Sequence, residues 1–256
     1  MLKFHQFEKI INEGFIIKDN VVYFDSNNSD FINTSFGKSK NLKPFESKME
    51  NGIIYSVYNK DKSAEDKEMY SDVLDTIKGQ STKYTMDYNS YKSFISRTAI
   101  YMANLILKEK IDTILVMDSS SPLVSDLTLE INRRLPKYYD MFTFNKQIFK
   151  TPDIQDISID TMGIDVGDKN YKSMESSLNK MKKDGYFKIH NVYAPNRKFI
   201  KNWLKINNNV LSNIIDKKVA LIDDIFTTGA TIHEAARLLN DAGALYVVGL
   251  TIVKGK

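Results

Sequence analysis

The sequence predicts an α/β fold built on a mainly parallel, Rossmann-like sheet, and three observations predict it. Residues 219–222, Val-Ala-Leu-Ile, form an apolar run suited to a strand buried on both faces. The run stops at Asp223 and Asp224, then passes through hydroxyl residues and a glycine into an amphipathic helix pattern. Residues 111–117 repeat the plan, as a buried strand followed by the polar loop 118–122 and a helix with Val124, Leu127, Ile131 and Leu135 on one face. A third buried strand, 246–253, follows the helix that begins near Thr231. This order puts the loops after 117 and after 222 on one rim of an open sheet, at the carboxyl ends of its strands, where such folds bind ligands.

At 256 residues the chain can bury a large core, as one domain or as a domain with an appended subdomain. Hydrophobic residues make up 42% and charged residues 27%, the balance of an ordinary soluble protein. No run approaches the roughly 20 apolar residues that span a bilayer, and the first residues lack the apolar core of a signal peptide, so the cytoplasm is the expected compartment. The absence of cysteine excludes disulfides, thiolate metal sites and a cysteine nucleophile. Only His5, His190 and His233 are available, too few to expect a histidine-rich metal site. The formal charge of +4 is spread among acids, which gives no indication of nucleic-acid binding and suits an anionic small substrate equally well.

Taken in order, residues 14–25 read as a hairpin turned at Asp19-Asn20, with Phe15 to Ile17 on one arm and Val21 to Phe24 on the other. A polar stretch, 26–49, precedes a strand at 52–58, so that residues 1–62 are expected to form a β-rich subdomain; edge strands of the main sheet are the plainer alternative. Residues 63–77 have helical spacing at Met69, Val73, Leu74 and Ile77 and end at Lys78-Gly79. A stronger helix, 91–108, presents Phe94, Ile95, Tyr101, Met102, Leu105 and Ile106. Residues 140–144 read as a further strand, and about 146–209 as an irregular insertion in the core 63–256, with a helix only at 171–183. There Lys180, Lys182 and Lys183 form a solvated face. The helix 231–242 carries Ile232, Ala235, Ala236, Leu238 and Leu239 inward and ends at Gly243. Glu234 and Arg237 are expected in solvent, and His233 at the surface unless the helix turns it toward the preceding loop.

The chemistry of 223–231 has two halves. A Thr-Gly turn and the unpaired amides of the next helix make a seat for a phosphate, aided by the helix dipole and by threonine hydroxyls. Two carboxylates one short loop away suit neutral hydroxyls such as a ribose diol, and a sugar phosphate satisfies both halves. Simple capping by Asp224 and Thr228, with Gly229 as a turn residue, would need only one such group. The acids are expected on a loop and outside the core.

The series Asp223-Asp224-Ile225-Phe226-Thr227-Thr228-Gly229-Ala230-Thr231 closely resembles the 5-phosphoribosyl-1-pyrophosphate (PRPP) motif of type I phosphoribosyltransferases, with the overall order similar to their ComF-like branch. The resemblance implies the phosphoribosyltransferase kind of Rossmann-like fold. It also implies that Asp223 and Asp224 hold the ribose 2′- and 3′-hydroxyls, while Thr227, Thr228, Gly229, Ala230 and Thr231 cradle the 5′-phosphate. The loop Asp118-Ser119-Ser120-Ser121-Pro122 corresponds to the one that binds pyrophosphate, although as sequence it is equally an N-cap and turn cluster. A basic lid would come from 185–209, where Arg197 and Lys198 are preferred because they follow the turn Ala194-Pro195-Asn196; ordinary surface basics are the alternative. Mg²⁺ would arrive bound mainly through PRPP. The implied reaction transfers the 5-phosphoribosyl group to a nitrogen base, with residues 1–62 as a base-binding hood. A non-catalytic PRPP sensor and a PRPP synthetase-like enzyme are the alternatives. The chain lacks the cysteine-rich zinc element of many ComF proteins and an Arg-Gly-Phe-Asn-Gln segment after the first loop. The acceptor base and the oligomeric state are open, a homodimer among the options.

Overall fold

Asp19 and Asn20 fold strand β1 (Gly14–Lys18) onto β2 (Val21–Asp25), both taking positive φ, 51° and 62°, the conformation that matches a two-residue turn to the twist of its strands. The computed structural model describes residues 14–25, 32–34, 45–49, 51–60, 67–118, 121–136, 147–162, 164–226 and 228–254. Within them follow β3 (Ile32–Thr34), β4 (Phe45–Met49), β5 (Gly52–Lys60) and helix α1 (Lys67–Ile77). Gly79, at φ 70°, ends α1 in a Schellman turn: its amide reaches the Thr76 carbonyl at 3.0 Å, and that of Gln80 reaches Asp75 at 2.7 Å. The short β6 (Thr85–Met86) leads into α2 (Tyr88–Glu109), which starts three residues earlier than its apolar spacing suggests because the Asp87 carboxylate caps it by accepting the Ser90 amide.

Then come β7 (Thr113–Val116), α3 (Pro122–Arg134), β8 (Ile148–Lys150), β9 (Ser158–Ile159), α4 (Lys169–Lys183), β10 (Ile200–Lys201), β11 (Leu204–Ile206), β12 (Lys218–Phe226), α5 (Ala230–Asp241) and β13 (Tyr246–Lys254). The strand expected at 140–144 lies outside the described residues. The stretch expected to be irregular has an order of its own, two antiparallel ribbons made by β8 with β11 and β9 with β10, and α4 beside them. No helix among the described residues is long and apolar enough to cross a membrane.

Among the described residues, nine strands form the central sheet, in the order β6-β2-β1-β3-β5-β13-β12-β7, with β4 also on β5. The four strands β5, β13, β12 and β7 run parallel, whereas β1 to β4 pair antiparallel among themselves and with β5. The fold is therefore mixed α/β with a parallel centre, and the parallel pairing expected is found there and in the short edge pair β2–β6. The N-terminal strands continue the same sheet through β5, because hairpin and meander connections are too short for the crossovers parallel pairing needs.

Helices cover both faces of the centre, which explains its near-continuous apolar runs. On one face Phe94, Met102 and Ile106 of α2 and Leu127 and Ile131 of α3 meet Ala220, Ile222, Val248 and Leu250. On the other, Met174, Leu178 and Met181 of α4, Trp203 and Leu204, and Ile232, Ala235 and Leu239 of α5 meet Val219, Leu221 and Val247. Each large aliphatic or aromatic side chain so buried contributes about 1.5–3 kcal/mol. The packing fixes β12 between β13 and β7, its Ile222 opposite Val116, and the Met117 amide bonds the Ile222 carbonyl at 3.1 Å. Both loops of interest thus leave the sheet side by side.

Candidate functional site

Asp223 and Asp224 lie within β12, not on a loop as expected: the strand runs through them to Phe226, and Asp223 pairs with Thr251 of β13. The parallel partner β13 extends the ladder past the apolar run, whereas β7 ends opposite Ile222, and Asp223 is only 9% exposed. Its Oδ1 accepts the Asp224 amide at 2.9 Å. Burial first, and then the charge of Asp224, push the Asp223 carboxyl up to about 7; the Asp224 amide and Lys78 oppose this. Successive strand residues point to opposite faces, so Asp224 shares a face with Ala220 and Ile222, the face that α1 covers. There the Lys78 ammonium stands 2.7 Å from Asp224 Oδ2, while Oδ1 accepts the Ile225 amide at 2.6 Å.

The turn after β12 opens the helix α5 without a side-chain cap. Thr227 lies outside the described residues; Thr228 is exposed, and its hydroxyl accepts the Ala230 amide at a long 3.4 Å. Gly229 takes φ 72° and serves as the N-cap with no side-chain bond. A Cβ there would fall on the Phe226 ring and 2.8 Å from His233 Cδ2, so both backbone and space demand glycine. Ala230 is buried at the start of the helix, and the Thr231 and Ile232 amides have no acceptor among the described residues. His233 is half-buried beside this turn, and burial together with Lys201 holds its pKa down, so it is neutral near pH 7.

The loop after β7 is built differently. The Asp118 amide bonds Ile148 of β8 at 2.9 Å, and Ser119 and Ser120 lie outside the described residues. Ser121 is buried and caps α3: its hydroxyl accepts the Leu123 amide at 3.2 Å and donates to the Lys78 carbonyl at 2.9 Å. Pro122 borders a cavity of about 390 Å³ lined also by Ser81, Tyr84, Tyr88, Tyr91 and Asp126. The Tyr91 hydroxyl donates to Asp126 at 2.8 Å.

Sequence reasoning missed Lys78, which was visible only as the residue before a helix-ending glycine. Its partners Asp224 and Ser121 are distant along the chain, and no local pattern announces them. Arg197 sits in a 3₁₀ turn, Ala194–Phe199, with its guanidinium donating to the carbonyls of Val192 at 2.9 Å and His190 at 3.0 Å. Lys198 is exposed, with its ammonium 4.8 Å from the centre of the Phe199 ring. Ile200, Trp203 and Leu204 are buried, so this basic segment is packed against the sheet and α5. Glu234 corrects another expectation: it is 3% exposed rather than solvated. Its carboxylate accepts from the Asn202 amide and, on both oxygens, from Arg237, which also reaches Asp241 at 2.7 Å and Asn202 Oδ1 at 3.0 Å. Among the described residues no group of three or more His, Cys, Asp or Glu could hold a metal ion.

No family model matches the chain. Forty residues are 52% identical to competence protein ComFC of Streptococcus pneumoniae (strain ATCC BAA-255 / R6), a stretch covering 16% of this chain and 18% of that protein. A longer similarity, 29% identity over 165 residues, is to orotate phosphoribosyltransferase of Sulfurisphaera tokodaii and covers 63% of this chain and 71% of that one. Both similarities are weak, and together they hint at the type I phosphoribosyltransferases.

Proposed function

We propose that the chain is a phosphoribosyltransferase that moves the 5-phosphoribosyl group of PRPP to a nitrogen base and releases pyrophosphate. The observation that carries this reading is a helix N-terminus left uncapped behind a left-handed glycine, directly following two strand carboxylates. Open amides and the positive end of α5 suit a dianionic phosphate, and Asp223 and Asp224 suit the neutral hydroxyls of a ribose attached to it. The loop that follows the adjacent strand β7 is the proposed holder of the group at C1 of that ribose.

In the reaction the bond from C1 to the pyrophosphate oxygen breaks as a base nitrogen forms its bond to C1, so positive charge grows on the ribose and negative charge on the leaving group. The carboxylates hold the sugar and offset the first; amides and cations at the rim offset the second. Mg²⁺ suits a site with hard oxygen donors and, among the described residues, no cluster of three or more metal-ligating side chains, because this ion keeps waters and phosphate oxygens in its shell. It would supply charge neutralisation at the pyrophosphate. Residues 1–62 are the proposed hood over the base.

Calorimetric titration with PRPP and Mg²⁺ tests the reading, followed by an assay of pyrophosphate release over a panel of bases. The double variant Asp223→Asn, Asp224→Asn is expected to fold and to bind PRPP at least about a hundredfold more weakly, since two charge-assisted contacts of about 1.5–3 kcal/mol each are lost. Unchanged affinity would refute the assignment. A PRPP sensor is the second reading, favoured by the engagement of Arg197 with backbone carbonyls rather than with open space. Saturable binding without pyrophosphate release from any base would select it.

A further inference from the structure

Lys78 touches both halves of the site. Its ammonium lies 2.7 Å from Asp224 Oδ2, and its carbonyl accepts the Ser121 hydroxyl at 2.9 Å. The Schellman turn at Gly79 anchors its backbone, so only the four-carbon stem is free to move. The two paired side chains retain 19% and 16% exposure, which leaves the ion pair open to an incoming ligand.

Asp224 has no oxygen without a donor in this arrangement, because the Ile225 amide holds Oδ1. A ribose hydroxyl approaching Oδ2 therefore competes with the ammonium. A displaced ammonium needs a new counter-charge, since a partly buried, unpaired cation is costly. The Lys78 carbonyl is tied to Ser121 at the start of α3, so an anion seated beside Ser121 falls within the reach of the Lys78 stem.

We propose that Lys78 exchanges partners: it holds Asp224 in the empty site and moves to the diphosphate at C1 when a ribose phosphate enters. The proposal rests on the ribose-phosphate reading of the site. Lys78 then determines specificity, because a ribose phosphate with no second anionic group displaces the ammonium and offers it nothing in return. A sugar carrying a 1-diphosphate offers a stronger partner than the carboxylate it takes away.

The test is calorimetric titration of the full chain with PRPP plus Mg²⁺ and, separately, with ribose 5-phosphate. Lys78→Met is expected to weaken PRPP binding at least about tenfold, the loss of one charged hydrogen bond, while ribose 5-phosphate binds as well as before or more tightly. Lys78→Gln, which keeps a hydrogen-bonding tip without the charge, is expected to shift the ratio of the two affinities the same way, and thermal unfolding checks that each variant folds. Equal weakening of both ligands would mean that Lys78 merely positions Asp224, and would overturn the exchange. No change in either would also overturn it. Wild-type protein that binds neither ligand would refute the ribose-phosphate reading itself, and the exchange with it, whereas wild-type binding with an unchanged ratio in both variants refutes the exchange alone.

Discussion

The two strand-to-helix turns on the rim use the same sequence plan and finish it in opposite ways. After β7, Ser121 closes the helix start with its own hydroxyl and is in turn held by Lys78. After β12, Gly229 occupies the same N-cap place with no side chain at all, and Thr228 makes only a long contact. Among the described residues, the first turn satisfies its helix start from its own side chain, and the second leaves the Thr231 and Ile232 amides without an acceptor. Hydroxyl-rich loops at strand ends are thus not equivalent phosphate seats: the position of the hydroxyl relative to the first helical residue decides whether it caps or leaves the amides open.

Closing the open turn should have the largest effect. Gly229→Val forces a β-branched residue into φ 72° and onto the Phe226 and His233 rings. It is expected to cost about 1–3 kcal/mol of stability and about a hundredfold or more in PRPP affinity, read by denaturant unfolding and calorimetry. Wild-type affinity in a folded Gly229→Val protein would mean that the turn holds no phosphate.

Asp223, which leads into that turn, should show the next effect, through pH. Its carboxyl is raised to about 7 in the fold, so the folded state binds the proton that the unfolded chain releases near pH 4. Stability contributed by the neutral carboxyl is therefore present below about pH 4, declines as pH rises and is gone above about pH 7. Asp223→Asn keeps an acceptor for the Asp224 amide and removes the titration. Its unfolding free energy relative to wild type should rise across that window, by up to about 4 kcal/mol, and level off above it. A difference independent of pH would show that Asp223 is ionised throughout.

The smallest effects separate the two turns most directly. Ser121→Ala is expected to lower stability by about 1–2 kcal/mol through a lost cap and a stranded Lys78 carbonyl, with little change in ligand affinity for a hydroxyl already committed. Thr228→Ala should change stability by less than about 0.5 kcal/mol and weaken PRPP binding instead. Equal profiles for the two variants, in unfolding and in titration, would erase the distinction.

The centre of the fold was legible because its signals are local. Runs such as 219–222 and 246–253, the heptad-like faces of α2 and α5, and the glycines at 79 and 243 each announce their element within a few residues. Two parts of the site were not legible. Asp223 and Asp224 read as loop because acids end an apolar run, yet β13 on one side carries the ladder through them. Glu234 and Arg237, three apart on a helix, look like a solvent ion pair; burial comes from Asn202, 32 residues upstream. Lys78 belongs to the same class, an ordinary charged residue made special by Asp224 from far along the chain.

Glu234 also links two elements of the fold. By gripping the Asn202 amide and both arms of Arg237 from inside the protein, it joins the ribbon of β9 and β10 to the first turns of α5. Neither piece can open to water without breaking hydrogen bonds to this buried carboxylate, so the two are expected to exchange as one cooperative unit. A ligand that binds the start of α5 is therefore expected to slow amide exchange at Lys201 to Trp203 as well as in the helix, and with it the motion of the Lys201 side chain.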